Sequence, residues 1–149
     1  MRAPFLASLL CLFLTAPALA QGGAGRRETI LRASREFIIP RYEALAKATK
    51  DEQEAWSRFC AAPRKEDLAP LKEHYRKAAD AWSGIEFVLY GPISTDFRYE
   101  RMAHWPERKN AIGRGLSNLL ARKGTDDLSP DRFAQMSAAV QGLSALERL

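Results

Sequence analysis

Glu86 is a carboxylate set in an apolar run, Trp82-Ser83-Gly84-Ile85-Glu86-Phe87. Placed four residues after Trp82, it falls near the inward side of a helical stripe. A carboxylate held there needs a partner, or its pKa rises. That partner can be an arginine, a metal ion or solvent at the stripe's edge. Glu147 is the second such group. It follows Ser144 at i+3, so the two side chains can meet on one helix face. Histidine at the first position and glutamate at the second would be a metal-ligand pair on a bundle helix. Serine is a poor ligand for a transition metal. The plainer alternative is that Ser144 packs and Glu147 pairs with an arginine. His104, just before Trp105-Pro106, is a candidate ligand or a packed loop side chain. His74, beside Glu73, reads as solvated.

Other chemistry is disfavoured by what the sequence lacks. There is no G-x-x-x-x-G-K-[ST], no H-E-x-x-H and no G-x-S-x-G. Gly113 and Gly115 lie inside a helical pattern and make a poor phosphate loop. There is no C-x-x-C, which removes cysteine-based zinc and thioredoxin-type chemistry. Cys60, with Trp56 and Phe59 nearby on a helical pattern, reads as a small buried side chain. The chain has 23 Lys and Arg against 18 Asp and Glu, a formal charge of +5. This excess is mild and interspersed with acids, so no nucleic-acid footprint is expected.

The elements that must position these residues are helical. Residues 1–20 read as a signal peptide. Arg2 is the positive start, Phe5 to Leu14 the apolar core, and Ala18-Leu19-Ala20 the cleavage site, giving a mature start at Gln21. Residues 21–25 read as a flexible leader, and 26–149 as one helical domain. Ile30, Phe37, Ile38, Tyr42 and Leu45 recur at helical spacing, interrupted by Pro40, which kinks the run or opens a new helix. Residues 50–60 form a second stretch, ended by Pro63. Leu68, Leu71, Tyr75, Ala78, Ala79, Trp82, Ile85 and Leu89 form a long third stripe, capped by Asp67 and stopped by Gly91-Pro92. Residues 93–108 are a long connection in which Phe97, Tyr99 and Trp105 are available for packing.

A fourth helix follows Pro106, with Ile112, Leu116, Leu119 and Leu120 inward and Gly124 at its end. Ser129-Pro130-Asp131 is a strong start signal for a fifth. Its stripe is Phe133, Met136, Val140, Leu143 and Leu146. That stripe still runs at Leu149 with no glycine cap, so the helix reads as cut short. The expected class is all-α, an antiparallel helical bundle. After residue 20 no apolar run approaches the length that spans a bilayer.

Several pieces, taken in order, resemble the first half of imelysin-like proteins. They are Phe37 to Leu45 (F-I-I-P-R-Y-E-A-L), Phe59-Cys60 before Pro63, Ala81-Trp82 through Phe87, Tyr90-Gly91-Pro92 and Trp105-Pro106. Gly142 to Glu147 (G-L-S-A-L-E) falls where that family carries G-x-H-x-x-E. The resemblance implies an exported helical protein of the bacterial cell envelope. It also implies the first bundle of a two-bundle architecture, with the motif near the bundle interface. The function implied is binding linked to uptake of iron or another metal such as zinc. Its partners would be other envelope proteins or a missing C-terminal bundle. An imelysin-type metallopeptidase and a helical interaction module without a metal site are the alternatives. Gly142 and Glu147 match the motif, but Ser144 stands in place of its histidine. A zinc hydrolase needs about three protein ligands and an open water position. No such set is assembled in the sequence, which argues against hydrolysis. Glu147, Glu86 and His104 remain the candidate metal ligands.

Overall fold

The computed structural model describes residues 18–122 and 128–149, with side chains from residue 23 onward. The expected signal-peptide core and the Gly124 helix end therefore lie outside the described residues. The described residues up to Pro40 belong to one compact unit and those from Arg41 on to a second.

In the first unit, α1 (Ala18–Ala33) is followed by a π-helical turn, Ser34–Ile38. Residues 21–25, expected as a flexible leader, carry helical backbone within α1. Gly-rich sequence weakens a helix without forbidding one, and the local i→i+4 ladder satisfies the backbone here. Ile30 is exposed, so the apolar spacing of this segment does not mark a buried face. The π turn has a cause in Pro40. Proline has no N–H to give to the carbonyl one turn back. The ladder is shifted just before it: the Ile39 amide bonds to the Ser34 carbonyl, five residues away.

α2 (Ile39–Ala61) takes Pro40 in its first turn and runs unbroken through residues 45–50. The expected division into two stretches is therefore absent, since no glycine or proline lies between Arg41 and Ala61. Residues 62–67 turn the chain, with Arg64 forking onto Asp67 at 2.8 and 3.0 Å. α3 (Leu68–Ser83) follows. α3 buries Leu71, Ala78 and Trp82. It ends well before Leu89: Gly84 sits at its C-cap and gives its amide to the Asp80 carbonyl, and the Ile85 and Glu86 amides close on the Trp82 carbonyl. Ile85 and Val88 stay buried from the turn that follows, while Leu89 is exposed.

The connection after α3 holds two short helical elements. One is a 3-10 turn, Gly91–Ser94; the other is α4 (Arg98–Met102). Tyr99 packs on Trp82 with ring centroids 5.2 Å apart. Phe97 and Trp105, expected to pack as well, are exposed. α5 (Ala111–Ala121) buries Ile112 and Leu116, with Leu120 exposed rather than inward.

The expected fifth helix is broken into three pieces. α6 (Pro130–Ala134) starts at Pro130 behind Ser129, as the start signal implies. A 3-10 turn, Ala138–Val140, and α7 (Gly142–Leu146) follow. The break has a visible agent. The buried Gln141 side chain donates to the carbonyls of Phe133 at 3.1 Å and Met136 at 2.7 Å. A side-chain amide thus takes carbonyls that a continuing helix would have used. Ile112, Leu116, Ala139, Val140 and Ala145 form one core cluster. α7 packs against α3, α4 and α5. Among the described residues there is no strand, so the molecule is all-α, as its periodicities require.

Candidate functional site

The G-x-S-x-x-E segment is placed by its glycine. Gly142 opens α7 at φ +66°. A Cβ at this position would collide with the carbonyl oxygens of Arg101 and Met102, at the end of α4. Glycine is thus needed twice over, for a left-handed backbone and for close approach to another helix. This contact sets where the rest of the segment points. Ser144 sits half-buried within α7. Glu147 is one residue past α7, exposed, with its amide bonded to the Leu143 carbonyl at 2.9 Å.

Glu147 opens on a cleft of about 460 Å³. The facing wall is Trp56 of α2 with Leu68, Leu71 and Tyr75 of α3. Leu146 and Arg148 close the near side, and Lys72 and Arg76 also line the cleft. Ser144 does not line it. The expected meeting of residues 144 and 147 at one site therefore does not carry over to the cleft, because α7 ends at Leu146.

Behind the wall lies a group the sequence reading missed. Glu52 of α2 is only 5% exposed, and its Oε1 is buried without a hydrogen-bond partner among the described residues. The indole Nε1 of Trp56, one turn on, is likewise buried and unpartnered. Burial pushes the Glu52 carboxyl above the usual carboxylate value, and the neighbouring indole works against that rise. Tyr75 is raised too, by burial first and then by the negative charges of Glu147 and Glu52. Its phenol thus feels both carboxylates. A signal for Glu52 was present: it follows Leu45 by seven residues and precedes Ala55 by three, on the buried stripe of α2.

The other candidates lie elsewhere. Glu86 is exposed in the turn after α3, not on the inward stripe, because the helix ends at Ser83. His104 is half-buried in the segment between α4 and α5, and His74 is half-buried rather than solvated. Cys60, expected to be buried, is exposed. Among the described residues, no three His, Cys, Asp or Glu side chains are gathered so as to hold a metal ion. Glu86, His104 and Glu147 therefore do not form one set.

A second missed residue is Glu107. One carboxylate oxygen accepts the Ile112 amide at 2.9 Å, and the other accepts Arg148 at 3.0 Å. The first bond caps α5 from outside its own N-cap residue, where a negative charge is favoured. The second ties the end of the motif segment to the loop before α5.

The family description Imelysin (Peptidase_M75) matches residues 38–149. The chain belongs to the imelysin family. Its fold is similar to the crystal structure of an imelysin-like protein from Psychrobacter arcticum 273-4, with a TM-score of 0.73 and 24% sequence identity. The likeness covers 80% of this chain and 38% of that one. No match was found among curated proteins.

The metal that the family motif implies does not suit the donors at this cleft. The position of the motif histidine holds a hydroxyl that does not line it. Glu147 is the one carboxylate side chain in the lining, against three cationic side chains. A single carboxylate among cations is a weak seat for a bare metal ion.

Proposed function

We propose that this chain serves an exported imelysin-type binding protein of the bacterial cell envelope, linked to uptake of iron or another metal, and that it is not a peptidase. The observation that carries the reading is the cleft under Glu147. It is concave, floored by leucines and an indole, and edged by a few charged groups, as small-molecule sites are. Its size lies within the usual range of such sites, at about 460 Å³. A zinc hydrolase would need about three protein ligands and an open position for water. Ser144 supplies no imidazole, and the carboxylates and imidazoles proposed as ligands stand apart. Export is supported by the n-region, apolar core and Ala18-Leu19-Ala20 site at the start of the chain.

Calorimetric titration with zinc, ferrous and ferric ions tests the metal link. The natural protein is expected to bind them weakly, since Ser144 does not line the cleft and Glu147 is its one carboxylate side chain. Tight binding by the natural protein that survives Glu147→Ala would move the site away from this cleft. Mass spectrometry of the envelope fraction tests export: the expected chain starts at Gln21, and a cytoplasmic chain starting at Met1 would refute it.

A further inference from the structure

Both ends of the motif segment are held by one stretch of chain, residues 101–107. At the front, the backbone of Gly142 lies against the carbonyls of Arg101 and Met102, at the end of α4. At the back, the guanidinium of Arg148 donates to Glu107 at 3.0 Å. The Glu107 side chain is only 15% exposed, and both of its oxygens are taken, the second by the Ile112 amide at 2.9 Å. A carboxylate this enclosed requires such partners, and charge-assisted bonds are stronger than neutral ones. Between the two ends the backbone stays helical. Glu147 has φ −60° and ψ −26°, and the Arg148 amide bonds to the Ala145 carbonyl at 3.1 Å. Consecutive side chains on a helix point about 100° apart around its axis. Fixing Arg148 on Glu107 therefore fixes the direction of Glu147 as well. Glu147 faces α3, where its charge reaches Tyr75.

We propose that Glu107 is a positioning residue for Glu147: through Arg148 it turns the motif carboxylate toward Tyr75 and keeps it there. What this placement serves rests on the reading of Glu147 as part of a binding site, given under Proposed function. Glu107 does not line the cleft, so it acts through Arg148 alone.

The phenol of Tyr75 reads the placement with no ligand present, because the Glu147 charge is one of the causes that raise its pKa. NMR of ring-labelled tyrosine through an alkaline titration of the full chain gives the value, with Tyr75→Phe assigning the signal. Glu147→Gln sets the drop that follows loss of the charge. Glu107→Gln keeps an oxygen for the Ile112 amide and removes the charge that holds Arg148. This variant and Arg148→Met are each expected to lower the Tyr75 value by at least half of that drop. Arg148→Lys is expected to leave it near the natural one, with circular dichroism unchanged in all. The sign for Arg148→Met separates positioning from simple charge. Deleting a nearby cation by itself favours the neutral phenol and raises the value, whereas a displaced Glu147 lowers it. A rise or no change in Arg148→Met would overturn the proposal, as would a drop confined to Glu107→Gln. Zinc calorimetry tests the binding reading separately: binding that survives Glu147→Ala would overturn that reading while the Tyr75 response stands.

Discussion

At the scale of single residues, Glu52 has the clearest physical consequence. Its carboxyl is held above its ordinary value of 4.5 by burial. A group whose folded pKa is raised stabilises the fold fully below its unfolded pKa, and that contribution is lost as pH rises through the folded value. The natural protein should therefore lose stability from this group between pH 4.5 and its raised folded value. Glu52→Gln keeps the shape without the charge. Thermal unfolding of the two proteins across this range should give a midpoint for Glu52→Gln that equals or exceeds the natural one at neutral pH. The two should converge at acid pH. A variant that is less stable throughout would show that the carboxylate is solvated or paired. Legibility at this scale was uneven. The motif glutamate was found because its spacing matched a known pattern. Glu52 was overlooked because an acid inside a helical run reads as a solvated face, and only its heptad relation to Leu45 said otherwise.

At the scale of elements, Gly142 decides where α7 lies. Its backbone is left-handed, and its α-carbon meets the carbonyls that end α4. Placing a side chain there costs about 1–3 kcal/mol for the backbone conformation alone. The collision adds to that. Gly142→Ala should lower unfolding stability by at least about 2 kcal/mol. Urea denaturation measures it, and a neutral substitution would mean that α7 is free to shift away from α4. The helical class and the start points at Leu68 and Pro130 follow from stripes and breakers visible in the sequence, whereas α5 begins at Ala111 rather than directly after Pro106. The helix ends were less legible. The apolar spacing from Phe133 to Leu146 fits one helix, but Gln141 divides it through side-chain bonds to backbone carbonyls. Such a bond is invisible to hydrophobic periodicity. The same holds for Ser83-Gly84, where a local stop overrode a stripe that continued to Leu89.

At the scale of the whole chain, the sequence left a large apolar exposure unforeseen. Phe87, Leu89, Tyr90, Phe97 and Trp105 are each between 61 and 78% exposed. Single exposed apolar side chains are ordinary, but this many in one connecting region favours association. Sedimentation velocity should show the average mass rising with concentration, and Trp105→Glu should reduce the rise. A strictly monomeric natural protein across that range would contradict the expectation. The family and the all-helical architecture were legible from short pieces in order, because proline, glycine and tryptophan punctuate the helical stripes. The cleft was not legible, since it draws its walls from α2, α3, the end of α7 and the residues after it, which only folding brings together.

Glu107 couples two parts of the chain through one carboxylate. The Ile112 amide lies in the first turn of α5, where no helix ladder protects it. Its hydrogen bond goes to a side chain that Arg148 also holds, 41 residues away. Solvent deuterium can therefore replace the Ile112 proton only when that carboxylate swings aside. Exchange at this single amide becomes a clock for release of the segment that follows α7, and added salt, by loosening the Arg148 pair, makes it run faster.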